Sequence, residues 1–154
     1  MQLMLCVITA DTETRNQMIR TYSELQRFST FEERFKYLSL KGQVGEETYG
    51  FDRWINQRFY RSKEWKQIRD YVIVRDSGCD LGIIGREIPE RIIVHHINPI
   101  LVKDITDVSE YLINPEYLIC TSNNTHQAIH YGDESLLILE PVQRTLHDTC
   151  PWKH

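Results

Sequence analysis

The sequence predicts an α+β fold, in which helices lie before and after a pair of short strands. Patterns of helical period occupy two segments in the first half of the chain. The β-branched run in "RIIVHHINPI" and the apolar run "YLICT" are typical of strands. Directly after "YLICT", a serine suited to helix capping precedes two histidines that are four residues apart, which predicts a final helix.

The first helical segment follows a polar start. A length of 154 residues indicates one domain, which we place at residues 21–154, and residues 1–20 are expected to form a loosely packed arm because they lack periodicity. From Thr21 to Leu40 the pattern is helical. Thr30 and Glu33 match a capping box, and Gly42 suits the end of the helix. The glycine-rich residues 41–52 predict a loop.

A second helix is predicted from about Ser62 to Arg75. Ser62 is a suitable N-cap, and Trp65, Ile68 and Val72 fall on one side of the helix. A separate stripe is basic and consists of Lys63, Lys66 and Arg69. The helix can therefore bury one face and present a positive one.

The charge of the chain is unevenly distributed. A net charge of −4 argues against a nucleic-acid partner, since phosphate binding depends on Lys and Arg. Residues 53–75, however, carry seven basic and two acidic side chains, so this segment has a charge of +5 and the rest sums to −9. The basic stripe indicates a phosphate contact, and the alternative is a solvated helix face.

The second half of the chain predicts two strands and a helix. The first strand ends in His95 and His96, before Pro99. A long irregular connection with a short helix in it leads to the second strand, at residues 117–121. Ser122 then caps a helix that carries the other two histidines and ends at Gly132.

Four of the six histidines lie in these two pairs. His126 and His130 project from the same side of a helix and can chelate one ion. Adjacent strand residues point to opposite sides, so either His95 or His96 can bind the ion while the other does something else. Three imidazole ligands and one free imidazole suit a hydrolytic metal site, which needs an open coordination position and a base. The alternative is a chance pair on a solvated helix.

The remaining histidines and the cysteines indicate no further site. His147 and His154 have no partners in the sequence and are expected on the surface. The cysteines contain no C-x-x-C pair, which predicts reduced thiols at Cys6, Cys79, Cys120 and Cys150. The apolar run at residues 3–10 is too short to span a bilayer and lacks a basic leader. We therefore expect no membrane segment and a cytoplasmic location.

The order of strand, loop, strand and helix resembles the HNH endonucleases, whose fold is called ββα-metal or His-Me finger. "VHHINPI" is similar to their D/H-H-I-x-P strand, and "YLICTSNNTHQAIH" is similar to their N-L-x-x-L-C segment that ends in H-x-x-x-H. "SKEWKQIRDYVIVRDSGC" resembles the W-x-x-x-R…R-D-x-x-C segment that precedes the motif. Residues from Thr21 onwards resemble small phage-encoded HNH proteins. The resemblance implies a ββα-metal core at about residues 90–132, with added N-terminal helices and a C-terminal extension.

The resemblance also assigns roles by position in the motif. It implies a metal-dependent endonuclease that hydrolyses DNA phosphodiester bonds with weak sequence specificity and leaves 5′-phosphate and 3′-hydroxyl ends. His96 falls on the general base, and the ligands of one divalent metal ion are His95, His126 and His130. Three imidazoles favour zinc, nickel or manganese over magnesium as that ion. We expect Lys63, Lys66 and Arg69 to hold the DNA backbone. The phage relatives imply the DNA-packaging terminase as a partner and the host cytoplasm as the location.

Two features depart from the family pattern. Tyr117 stands where the family has the asparagine of its name, nine residues before His126. In the family, that asparagine braces the loop and so orients the base. In this chain, either Asn114 or Asn98 braces the loop instead, or the loop is held differently. Many members also carry two C-x-x-C pairs for a structural zinc, which we do not expect here. The alternatives are a catalytically degenerate ββα module, with a DNA-binding or structural role, and a hydrolase of small phosphodiesters.

Overall fold

The structure, a computed structural model, describes residues 18–41 and 53–140. These two ranges contain seven α-helices: α1 (Tyr22–Leu25), α2 (Phe31–Leu38), α3 (Arg53–Arg61), α4 (Lys63–Arg75), α5 (Val102–Thr106), α6 (Glu110–Ile113) and α7 (Asn123–Tyr131). They also contain four strands: β1 (Cys79–Asp80), β2 (Arg86–Glu87), β3 (Ile93–His96) and β4 (Leu118–Thr121). The fold is mixed α+β, as the sequence predicts. None of the helices in these ranges has the length and apolarity to cross a membrane.

The first helical segment is divided in two. The sequence predicts one pattern from Thr21 to Leu40, but α1 ends at Leu25 and α2 begins only at Phe31. The predicted capping box is confirmed, because the Thr30 hydroxyl accepts from the Glu33 backbone N–H while the Glu33 carboxylate accepts from the Thr30 N–H. This box starts a new helix and so separates α2 from α1. Gly42, the predicted end, lies outside the described residues, and α2 has already ended at Leu38.

The predicted second helix is confirmed as α4. The Ser62 hydroxyl caps it by accepting from the Trp65 N–H at 3.1 Å. Trp65 and Val72 are buried, as their spacing predicts. A further helix, α3, precedes α4 and was not predicted; its Phe59 ring packs against Trp65 with centroids 5.4 Å apart. The basic segment therefore covers two helices.

The two predicted strands pair with each other. β3 and β4 form an antiparallel pair in which His95 lies opposite Ile119 and His96 lies opposite Leu118. The predicted connection between them carries α5, α6 and a 3₁₀ turn at Pro115–Tyr117, where the sequence predicts a single short helix. A second hairpin, β1–β2, lies between α4 and β3, where the sequence analysis predicts no strand. Its strands have two residues each, too few to show a period in the sequence.

α7 begins and ends where the sequence predicts. The Ser122 hydroxyl accepts from the Thr125 N–H, and Gly132 ends the helix in the left-handed conformation with φ +69°. A Cβ at Gly132 would lie 3.1 Å from the Cα of Lys41, so close packing also favours glycine here.

β4 is buried on both faces and separates two parts of the core. Ile119 joins a cluster that contains Ile129 of α7, whereas Leu118 and Cys120 join a cluster that contains Trp65 and Val72 of α4. Side chains of a strand alternate between its faces, so one face of the β3–β4 pair is covered by α7 and the other by α4. This arrangement gives His95 and His96 different surroundings.

Two buried anchors tie the helices to β4. The Arg75 guanidinium donates to the carbonyls of Pro115 and Leu118, both at 2.7 Å. The neighbouring Asp76 carboxylate accepts from the Arg75 Nε at 2.7 Å and from the Cys120 N–H at 2.8 Å. Arg75 therefore connects α4 to the entry of β4 through charge-assisted hydrogen bonds.

The second anchor is Asp80, which has no exposed surface. Its carboxylate accepts from the Thr125 hydroxyl at 2.6 Å, from the Ser122 N–H at 3.1 Å and from the Gly82 N–H at 2.9 Å. A negative charge beside the first turn of α7 also suits the helix dipole. Asp80 therefore holds the start of the helix that carries His126.

The cysteines of the described ranges are free thiols. Cys79 is half-buried and Cys120 is buried, and neither forms a disulfide. Burial raises the pKa of the Cys120 thiol to about 12. Cys6 and Cys150 lie outside the described residues, as do His147 and His154.

We predict that Asp80→Ala lowers the free energy of unfolding by about 3 kcal/mol, because it leaves buried donors on α7 and at Gly82 without an acceptor. Urea unfolding of the metal-free protein measures this loss. Asp70→Ala is the matched control, since Asp70 is exposed and its ion pair with Arg69 is long, at 3.5 Å. A loss of similar size in both variants would contradict the anchoring role of Asp80.

Candidate metal centre

Three histidines converge between β3 and α7. His95 projects from β3 towards α7, and its ring centroid lies 5.0 Å from those of His126 and His130. His126 and His130 are one helical turn apart, with Nε2 atoms separated by 3.1 Å. One ring nitrogen from each of the three lies within 4.8 Å of the others. The structure thus brings together the three residues that the sequence predicts as ligands.

These imidazoles are neutral at neutral pH. Burial lowers the pKa of His95 well below its usual value, and the neighbouring His126, His130 and His96 lower it further. Burial, with a smaller contribution from His130, lowers the pKa of His126 to about 4, and burial also lowers the pKa of His130. Removing a charged imidazolium from water is costly, and three together repel one another. Each ring therefore keeps a lone pair that can bind a cation.

Two ring nitrogens in this cluster are buried without a hydrogen-bond partner among the described residues. They are Nε2 of His95 and Nδ1 of His130. A zinc ion holds nitrogen ligands at about 2.0–2.1 Å, which places two tetrahedral ligands roughly 3.4 Å apart. The 3.1 Å separation of the Nε2 atoms of His126 and His130 is close to this value. The residues present therefore fit a metal ion, for which the unpartnered Nε2 of His95 would be the third ligand.

His96 has a different environment from His95. Its half-buried ring stacks on Trp65 of α4, with centroids 5.4 Å apart and planes 19° from parallel. Its Nε2 lies 3.4 Å from the carbonyl oxygen of Leu112. A carbonyl oxygen can only accept a hydrogen bond, so the ring nitrogen that faces it must be the donor. The proton is therefore assigned to Nε2, and Nδ1 keeps the lone pair. Burial lowers the pKa of His96 to about 4, so the ring is neutral at neutral pH.

All four histidines line one cleft of about 630 Å³. Lys66, Arg69 and Arg91 also line it, whereas no Asp or Glu of the described ranges does. The chain as a whole is acidic, so positive charge has been concentrated at this cleft. Such a cleft attracts anions and leaves any bound cation with ligands that carry no charge.

The predicted phosphate-binding residues are only partly in the cleft. Lys66 and Arg69 line it, but Lys63 lies at the first position of α4 and does not. Arg91, which does line the cleft, was missed by the sequence analysis. The available signal was its spacing of four residues from His95, because residues an even number apart in an extended segment lie on the same face.

The loop between β3 and β4 is held mainly by backbone contacts and by Asn114. The Ile97 N–H donates to the Tyr117 carbonyl at 2.9 Å, and the Tyr117 ring stacks on Tyr111 with centroids 4.9 Å apart. The Asn114 side chain accepts from the Glu116 N–H at 2.9 Å and so caps the 3₁₀ turn. Asn114, rather than the Tyr117 hydroxyl, is thus the polar side chain that braces this turn.

Asn98 has another task. Its amide exchanges two hydrogen bonds of 2.9 Å with the backbone of Arg20, one in each direction. The Arg20 side chain also donates to the carbonyls of Tyr37 and Ser39. The last residue of the predicted N-terminal arm is therefore tied to the domain, whereas residues 1–17 lie outside the described ranges.

Comparisons of this chain with models of protein families, with curated proteins and with solved structures found no match. The function is therefore inferred from the residues of the site and their geometry.

We predict that His95→Leu leaves the free energy of unfolding unchanged, or raises it by up to about 1 kcal/mol, when a chelator keeps the protein free of metal. Leucine has a similar volume and buries no unpartnered nitrogen. Ile119→Ala is the control, because Ile119 is the fully buried neighbour of His95 on β4, and its truncation should cost about 3 kcal/mol. An equally large loss in His95→Leu would mean that the His95 ring has a structural partner.

Proposed function

We propose that this chain is a metal-dependent endonuclease that hydrolyses DNA phosphodiester bonds. The observation that carries the proposal is the placement of four imidazoles in one cleft. The neutral rings of His95, His126 and His130 converge, and His96, the residue after His95, presents a fourth ring on the other side of β3. A metal site that hydrolyses phosphate esters needs this combination of ligands and a separate base.

The same residues support a ββα-metal core of the HNH kind. Its two strands are β3 and β4, and its helix is α7, so that the first ligand comes from a strand and the other two from the helix. This order of elements is the one that the resemblance noted in the sequence leads us to expect.

His95, His126 and His130 are proposed to hold one divalent cation. Imidazole nitrogens favour zinc, nickel or manganese, and magnesium, which prefers oxygen ligands, is the least suited. When bound, the ion supplies positive charge that neutralises a phosphate and its departing oxygen. Because no carboxylate of the described residues lines the cleft, that charge is not compensated by the protein.

His96 is proposed as the general base. Its Nδ1 accepts a proton from water while the water oxygen bonds to phosphorus and the bond from phosphorus to the 3′ oxygen breaks. The 3′ oxygen keeps the electron pair of that bond and takes a proton from solvent, which gives the 3′-hydroxyl end. The Leu112 carbonyl and the Trp65 ring hold the imidazole in place, since the first fixes the proton on Nε2 and the second packs against the face of the ring. A base whose tautomer and orientation are fixed in advance needs less reorganisation during proton transfer.

Lys66 and Arg69 are proposed to bind the DNA backbone. Both project from α4 into the wall of the cleft that also contains His96. They contact phosphates and do not read bases, which is consistent with weak sequence specificity.

We predict that zinc or nickel at about 100 times its dissociation constant raises the free energy of unfolding by about 2.7 kcal/mol. His126→Ala should remove this stabilisation because it removes a ligand, whereas His96→Ala should retain it. Thermal unfolding with and without a chelator measures the effect, and direct titration gives the affinity. Equal loss of metal binding in the two variants would mean that the roles of His95 and His96 are wrongly assigned.

We predict that the wild-type protein nicks or linearises supercoiled plasmid when manganese, nickel, zinc or magnesium is supplied. His96→Ala should lower the rate about 10²–10⁴-fold, because water then lacks its base. A wild type that binds metal and plasmid without cutting would be a DNA-binding module instead. Hydrolysis of a chromogenic phosphodiester without cleavage of DNA would indicate a hydrolase of small phosphodiesters.

A further inference from the structure

Arg91 differs from the arginines that the fold uses internally. Four arginines of the described ranges donate from their side chains to backbone carbonyls: Arg20, Arg34, Arg75 and Arg86. The Arg91 guanidinium is exposed and has no hydrogen bond or ion pair with any described residue, yet Arg91 lines the cleft. Its charge is therefore available to a ligand in the cleft.

The position of Arg91 is at one end of the cleft. The cleft follows β3, since the consecutive residues Ile92, Ile93 and Val94 line it together with both histidines of the strand. Arg91 precedes β3 by two residues and His95 by four. Residues 91 and 92 precede the strand, so a fully extended rise of about 3.3 Å per residue gives an upper limit of roughly 13 Å for the separation of the Cα atoms of Arg91 and His95.

This limit exceeds the size of one phosphodiester. One strand of duplex DNA places a phosphate about every 3.4 Å along the helix axis, so roughly 13 Å corresponds to about four nucleotides. A small diester at His95 and His96 presents one phosphate, whereas a polynucleotide also presents further phosphates along the cleft.

We propose that Arg91 binds a backbone phosphate a few nucleotides away from the bond that is cut, and so selects polynucleotides over short phosphodiesters. The proposal rests on the nuclease function proposed above and names its substrate class. Guanidinium suits this task because it presents two parallel N–H donors to two phosphate oxygens and stays charged at every working pH. Lys66 and Arg69, on α4, face the cleft from another element, so the backbone has cations on both sides of its path.

The test compares two substrates for wild type and Arg91→Ala. One is a duplex oligonucleotide of about 20 base pairs, and the other is bis-p-nitrophenyl phosphate, which has a single phosphodiester. Arg91→Ala should raise KM for the duplex about tenfold, the effect of about 1.4 kcal/mol of lost binding, and leave kcat nearly unchanged. Hydrolysis of the small diester should not change. An equal loss on both substrates would place Arg91 at the scissile phosphate, and no loss on either would leave it without a ligand; both results overturn the proposal.

Two further variants serve as controls. Arg27→Ala removes an exposed arginine outside the cleft and should behave as wild type on both substrates. Arg91→Lys keeps the charge without the paired donors and should restore the salt dependence of duplex binding but only part of the affinity.

The salt dependence also separates this proposal from the nuclease function. For the metal-loaded protein, the logarithm of the binding constant is plotted against the logarithm of the salt concentration. Arg91→Ala should make the slope of this plot about 0.9 less negative, because the variant makes one phosphate contact fewer and therefore releases fewer counterions on binding. This readout needs no cleavage. If the wild type binds the duplex without cutting it, the slope still tests whether Arg91 contacts a backbone phosphate. An unchanged slope in Arg91→Ala would overturn that contact.

Discussion

Three imidazoles packed side by side, with His95 buried and His126 and His130 half-buried, cannot satisfy all of one another's hydrogen-bonding groups. A neutral imidazole has one donor and one acceptor, so His126 and His130 can share one hydrogen bond, while Nε2 of His95 has no partner in the described ranges. Leaving such an atom buried costs about 1–3 kcal/mol, which a cation shared by all three lone pairs would offset. The Asp80 anchor of α7 and the register of β3 maintain this arrangement despite its cost.

The alternation of side chains along a strand gives two neighbouring histidines different surroundings. His95 and His96 are adjacent in the chain, but the first faces α7 and the second stacks on Trp65 of α4. This is possible because β4 is buried on both faces, so that helices cover both sides of a sheet with only two strands. The proposed metal ligand and the proposed base can therefore lie in one cleft with different neighbours.

The charge distribution explains how an acidic chain can bind an anion. The positive side chains of Lys66 and Arg69, from α4, and of Arg91, which precedes β3, line the cleft, and no carboxylate of the described ranges does. The carboxylates near the site serve the fold instead: Asp76 and Asp80 accept hydrogen bonds from the backbone of β4 and its exit. The local excess of positive side chains therefore differs in sign from the net charge of the chain.

The sequence by itself determined the features that depend on neighbouring residues. The capping box of α2, the caps of α4 and α7 and the one-turn spacing of His126 and His130 are local, because their hydrogen bonds join residues three or four apart. The sequence analysis missed the division of α1 from α2, the helix α3 and the β1–β2 hairpin, although these features are also local. The tertiary structure alone decided that β4 is buried between α4 and α7. It also decided that Leu112 orients His96, that Asp80 anchors α7 and that Arg91 reaches the cleft. These features arise from contacts between segments far apart in the chain, which no local pattern encodes.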